Sequence, residues 1–108
     1  MTAMPWILLI VAGVLEVVWA FTMKLSNGFT RPVSATITIV AMIASFALLS
    51  ISMRTLPLGT AYTVWTGIGA LGAFALGVVA LGEPATMARV IAALLIVSGI
   101  ILMKVSAG

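Results

Sequence analysis

The stretch MPWILLIVAGVLEVVWAFTM, residues 4–23, is long and apolar enough to cross a bilayer as a single helix. It carries one ionisable group, Glu16, a little past its midpoint. A charged side chain at the centre of a bilayer costs about 2.5–3.5 kcal/mol on insertion scales, and such residues usually mark functional sites. We therefore expect Glu16 to be the centre of a site. The alternative is a stray acid that is held by a structural hydrogen bond.

Two further residues are expected to share the helix face of Glu16. Gly13 and Trp19 each lie three residues from it, and residues at this spacing lie on one side of a helix. Gly13 is expected to leave a gap beside the carboxylate, while Trp19 supplies an aromatic ring with an N–H donor. This face of the first helix predicts a binding site.

The composition of the 108-residue chain indicates a membrane protein. Hydrophobic residues make up 64% of it, charged residues make up 6%, and the mean hydropathy is +1.38, more than a soluble domain of this length can bury. The chain has no Cys and no His and only two acids, one of them near a loop, so we predict no metal site. We also expect no cofactor and no enzymatic activity. The net charge of +3 is spread too thinly for a nucleic-acid surface.

Four apolar segments, separated by short polar breaks, predict four transmembrane helices in one domain over residues 1–108. Their approximate ranges are 4–23, 33–53, 58–81 and 85–104. The first lacks the basic start of a cleaved signal peptide and is expected to remain in the mature protein. The fourth is short, because 14 residues separate Arg89 from Lys104. It spans the membrane only if it begins near Ala85 and both cations extend to the interfaces.

The basic residues give little preference for either orientation in the membrane. Arg54 and Lys104 lie at one set of helix ends, and Lys24, Arg31 and Arg89 lie at the other. Both orientations are therefore permitted, and two opposite copies could pair as an antiparallel homodimer. A single orientation, set weakly by the first loop, is the alternative. Four helices alone line a path poorly while shielding their backbone from lipid, so we expect an oligomer.

Polar and aromatic residues on the second and third helices are candidates for completing the site. Ser45 lies near the middle of its helix, and its hydroxyl can donate to a carboxylate or accept a hydrogen bond. Thr38 and Ser52 belong to the same stripe but are interpreted as packing residues. Tyr62 and Trp65, three residues apart, are either pocket residues or interfacial anchors.

Small residues on the third and fourth helices suggest close packing or movement. Gly67 and Gly69 follow Trp65 directly and predict either close helix contact or a hinge, which would let the aromatic pair move as alternating access requires. Ala92 and Gly99 form a seam of small residues that we interpret as the dimer contact. Packing within one subunit is the alternative for this seam.

Taken together, these motifs resemble the small multidrug resistance transporters. The resemblance extends from residue 7 to residue 104 and is carried by AGVLEVVWA (12–20), NGFTR (27–31), LPLGTAYTVWTGIGALGA (56–73) and GEP (82–84). Within that family the chain is more similar to the guanidinium exporters than to the exporters of quaternary ammonium ions. The subtype rests on Trp19, Met42 and Thr66, together with the GIGA string that follows.

The resemblance implies that Glu16 binds a proton and a substrate in competition. It implies a pocket and a hinge formed by Gly13, Trp19, Ser45, Tyr62, Trp65, Gly67 and Gly69. It also implies an antiparallel homodimer of four-helix subunits in the bacterial inner membrane, with lipid, protons and guanidinium or a related small organic cation as partners. Two alternatives stay open: a broad exporter of quaternary ammonium and hydrophobic cations, and a proton-conducting membrane subunit.

Overall fold

The computed structural model describes residues 3–106, which form four helices joined by short connections. Helix α1 spans Ala3–Leu25, α2 spans Pro32–Ser52, α3 spans Leu58–Leu81 and α4 spans Met87–Ser106. All four are long and apolar enough to cross a membrane, and the described residues contain no β-strand. The prediction of an all-α membrane protein with four spans is confirmed.

Proline and glycine residues define the ends of the second and third helices. Pro32 is the first residue of α2 and Pro57 immediately precedes α3, where the missing proline N–H leaves no helical hydrogen bond unmade. Gly82 ends α3 in the left-handed conformation, with φ at 70°. Glycine adopts this conformation without strain, so the chain turns sharply there.

The fourth helix begins at Met87, two residues later than the predicted start at Ala85. The hydroxyl of Thr86 accepts a hydrogen bond from the backbone N–H of Arg89 at 3.3 Å, which caps the first turn. From Met87 the helix runs for 20 residues, a length of about 30 Å that matches the hydrocarbon core. It gains this length by continuing to Ser106.

Helix α1 lies at the centre of the subunit. Its backbone packs against both α2 and α3, whereas the backbone of α4 approaches α3 alone. The described part of the chain is therefore flat, with extents of 42 × 34 × 17 Å. No residue of α4 is buried, although the ammonium group of Lys104 lies 4.8 Å from the ring centre of Trp6 on α1.

The buried side of α2 carries small polar residues at seven-residue intervals. Thr38, Ser45 and Ser52 are all fully buried. The hydroxyls of Thr38 and Thr22 are 2.7 Å apart and form a hydrogen bond between α2 and α1. The Ser52 hydroxyl donates to the Leu48 carbonyl of its own helix at 3.0 Å. These bonds agree with the packing interpretation of Thr38 and Ser52.

Gly13 allows α1 and α3 to approach closely. A Cβ atom at this position would lie 2.6 Å from Cγ2 and 2.8 Å from Cβ of Ile68. The space that the sequence predicted beside Gly13 is therefore occupied by a branched side chain from α3.

We expect Gly13→Ala to lower the free energy of unfolding by about 1–3 kcal/mol, because the added methyl group overpacks the α1–α3 contact. Thermal unfolding of the purified protein in detergent measures the effect. Gly59→Ala is the matched control, since a Cβ there meets nothing within 4 Å. Equal melting temperatures for the two variants would contradict the prediction.

Candidate functional site

Glu16 lies on the side of α1 that faces α3 and is half-buried. Its carboxyl group rests against Gly69, where an added Cβ atom would overlap Oε1 and Cδ. Oε1 is enclosed and accepts no hydrogen bond from the residues that the structure describes. A buried acceptor without a partner is rare in native proteins and requires an explanation, so this atom marks a candidate functional site.

Trp19 carries the matching donor. Its indole Nε1 is also enclosed and donates to none of residues 3–106. Because Trp19 and Glu16 lie three residues apart on α1, the unpaired donor and the unpaired acceptor share one region of the bundle. Polar groups remain available for a ligand in this region.

Ser45 connects three helices through hydrogen bonds. Its buried hydroxyl donates to the Ala12 carbonyl of α1 at 2.7 Å and accepts from the Trp65 indole N–H of α3 at 3.0 Å. Ala12 lies four residues before Glu16, so helical geometry directs the backbone N–H of Glu16 to the same carbonyl. The Ser45 hydroxyl therefore anchors the turn of α1 that carries the acid.

Four aromatic side chains from three helices form a continuous line of rings that we call the aromatic row. It consists of Trp19, Phe46, Trp65 and Tyr62, in that order. The centroids are separated by 6.2 Å, then 5.8 Å, then 5.5 Å, and the rings meet in edge or tilted arrangements. Such geometries are favourable for aromatic pairs, and ring faces also attract cations.

Phe46 is the member of the aromatic row that the sequence analysis missed. Its side chain is 47% exposed, and in the sequence it is one of many apolar residues on α2. Its contact with Trp19 and Trp65 depends on how α2 is rotated against its neighbours. The only signal available in the sequence was its position directly after Ser45.

The two glycines predicted as a hinge face different neighbours. Gly67 faces Ile100 of α4, and Gly69 faces the carboxyl group of Glu16. Helix α3 continues without a break through both positions. Bending at these glycines stays a prediction.

Tyr62 lies at the opposite end of the aromatic row from Trp19. It is half-exposed and borders an open groove of about 460 Å³ between α3 and α4, while its ring ends the aromatic row. Gly99 lines the same groove, and Ala92 borders a second groove between these helices. Ala92 and Gly99 are both exposed, and their part in a dimer contact stays a prediction.

Four helices able to cross a membrane, one intramembrane acid whose oxygen has no partner in residues 3–106, and a row of aromatic rings are typical of a small helical membrane transport protein. Comparison with known families makes this specific. The sequence pattern described as Small Multidrug Resistance protein matches residues 4–97. The chain belongs to the small multidrug resistance family.

Several curated relatives are similar to almost the entire chain. A guanidinium exporter of Citrobacter freundii is 58% identical over 103 residues, which cover 95% of this chain and 98% of the relative. A guanidinium exporter of Salmonella typhimurium strain LT2 is 56% identical over 104 residues, covering 96% and 99%. One from Yersinia pseudotuberculosis is 53% identical over 103 residues, covering 95% and 99%.

The family and these relatives confirm the resemblance seen in the sequence. The protein is a transporter and not an enzyme, and it is a multi-pass protein of the bacterial inner membrane. The roles of the individual site residues stay predictions.

We expect Ser45→Ala to lower the free energy of unfolding by about 1–3 kcal/mol, because the buried Trp65 N–H loses its acceptor. Thermal unfolding and the near-ultraviolet circular dichroism of the tryptophans measure the change. Ser50→Ala, at an exposed position of the same helix, is the control. The prediction fails if both serine variants melt like the wild type.

Proposed function

We propose that this protein is an antiporter that exports guanidinium in exchange for protons. Relatives named guanidinium exporters, 53–58% identical over nearly the whole chain, support the choice of substrate. The observation that carries the proposal is the half-buried Glu16, whose enclosed oxygen has no partner among the described residues. A charged acid is costly in lipid, so Glu16 is expected to hold either a proton or an organic cation.

The chemistry of guanidinium suits the groups at the site. The ion is planar and permanently charged, and its N–H groups form a fork that matches the two oxygens of a carboxylate. Its faces can stack on aromatic rings, which the aromatic row offers beside α1. In this proposal Glu16 binds the ion, and Gly13, Trp19, Ser45, Tyr62 and Trp65 line or shape the pocket.

Exclusive occupancy of Glu16 couples the two fluxes. In lipid, an isolated carboxylate is costly, and either a proton or a bound cation removes that cost. A guanidinium ion beside Glu16 favours the deprotonated acid, and a proton on Glu16 removes the charge that attracts guanidinium. Since both ligands cannot occupy the acid together, movement of one across the membrane drives movement of the other.

An antiparallel homodimer forms part of the proposal. The backbone of α4 contacts only α3, and α4 buries no residue completely, so a single subunit leaves much of this helix uncovered by protein. Basic residues are divided two against three between the two ends of the bundle, which allows both orientations. Pairing through α4 near Ala92 and Gly99 would bring together eight helices and two copies of Glu16.

Alternating access requires a part of the bundle that moves. Helix α3 carries Trp65 and Tyr62 of the aromatic row and also the glycines at 67 and 69. Glycine weakens a helix by about 1 kcal/mol relative to alanine, so bending costs least here. In the proposed cycle, α3 changes its curvature and opens the site to one side of the membrane at a time.

Glu16→Gln is expected to abolish exchange in proteoliposomes, because glutamine can neither hold the proton nor attract guanidinium. Uptake of labelled guanidinium under a pH gradient should fall to the level of empty liposomes. The control is Glu83→Gln, which removes the only other acid in the chain and should retain exchange. A glutamine variant at position 16 that still exchanged guanidinium for protons would end this proposal.

Wild-type protein is expected to transport guanidinium at least about tenfold better than tetraethylammonium at equal concentration, a difference near 1.4 kcal/mol. Tetraethylammonium offers no N–H group to the carboxylate, so it forfeits the hydrogen bonds that guanidinium makes. Uptake of each labelled ion into proteoliposomes under the same pH gradient measures both substrates in one preparation. Equal transport of the two ions would instead favour a broad exporter of quaternary cations.

A further inference from the structure

Gly69 is the glycine of α3 that faces the acid of the candidate site, whereas Gly77 faces Glu83 in the connection that follows α3. A Cβ atom at this position would overlap Oε1 and Cδ of Glu16 and would lie 2.8 Å from Cγ. The nearby Gly67 and Gly72 instead face the apolar side chains of Ile100 and Val17. The carboxyl end of Glu16 thus lies directly on the backbone of α3 at Gly69.

Packing is what restrains this oxygen of Glu16. Oε1 is enclosed and accepts no hydrogen bond from residues 3–106, so no donor in the described chain fixes its position. A glutamate side chain has several rotatable bonds, and ordering it costs conformational entropy. Contact with the backbone at Gly69 limits the positions that the Glu16 carboxyl group can adopt. This contact uses no lone pair of Oε1, so that oxygen can still accept a bond from a cation or bind a proton.

We infer that Gly69 is a positioning residue for Glu16: the absence of a side chain at position 69 is required for cation binding, in addition to the proposed bending of α3. This inference rests on the proposed guanidinium exchange and adds a role for Gly69 within it. A methyl group at position 69 displaces the carboxylate from between α1 and α3. Binding of guanidinium then weakens even if α3 bends normally.

Gly67 provides a matched comparison. Gly67→Ala and Gly69→Ala add the same methyl group and remove the same backbone freedom from α3, two residues apart. The methyl group at position 67 meets the end of Ile100, a flexible side chain on α4. A requirement for bending alone predicts similar losses of transport in both variants, with equilibrium binding preserved.

The test measures guanidinium binding to purified protein by calorimetry and by the protons released. For Gly69→Ala we expect the dissociation constant to rise about tenfold or more, whereas Gly67→Ala binds like the wild type. Equal binding by the two variants overturns the role of Gly69. A wild type that binds no guanidinium and releases no protons contradicts the proposed function instead.

A second experiment measures thermal stability and does not depend on transport. It distinguishes a specific contact between residue 69 and Glu16 from a general loss of stability. Glu16→Asp shortens the side chain by one methylene group, so the carboxyl group no longer reaches residue 69. In a double-mutant cycle, Gly69→Ala should lower the melting temperature less in the Glu16→Asp background than in the wild type. Additive effects of the two substitutions would overturn the inference, because independent sites do not couple.

Discussion

The structure depends on accommodating one carboxyl group inside a lipid-facing bundle. Glu16 lies on α1, the helix that packs against both α2 and α3, so the acid is placed beside neighbouring helices and not on an isolated one. Burying a charge without a partner is among the most expensive arrangements in a protein. That cost explains why small residues, an anchoring hydroxyl and aromatic rings all concentrate around this part of α1.

Lipid provides little hydrophobic driving force for the association of helices. In lipid, helices associate through close packing and hydrogen bonds between them. Gly13 and Gly69 let α1 and α3 approach, while hydroxyl bonds from Thr38 and Ser45 connect α2 to α1. The Ser45 bond ends on the carbonyl one turn before Glu16, so the same contact supports the fold and orients the site.

The sequence predicted the helices well, because twenty-residue apolar runs have few alternatives in a membrane protein. Helix α4 begins two residues after its approximate predicted start, because the Thr86 hydroxyl caps the helix and hydropathy alone does not indicate a cap. At the site, the acid and its indole neighbour could be found from spacing on one helix. Phe46 could not be found in this way, because its contacts depend on the rotation of α2.

Residue spacing also predicted space for the Glu16 carboxyl group beside Gly13, whereas the structure has it beside Gly69. Gly13 shares a helix face with Glu16, which suggested room beside the acid on its own helix. The structure fills that room with Ile68 and instead seats the carboxyl group on Gly69 of α3. Whether there is space next to a side chain depends on the residues of the neighbouring helix. Residue spacing along α1 cannot show which residues of α3 lie opposite it.

The acceptor of Glu16 and the donor of Trp19, both without a partner in residues 3–106, would lower the free-energy cost of binding a cation in the proposed exchange. If the Glu16 oxygen and the Trp19 N–H were bonded inside the protein, an arriving cation would have to break those bonds before making its own. Leaving them free removes that penalty, and the surrounding packing keeps the groups in place, so less ordering is required on binding. In the proposed exchange, the empty state bears the cost of these groups, which have no partner among residues 3–106, and either a cation or a proton on Glu16 relieves part of that cost.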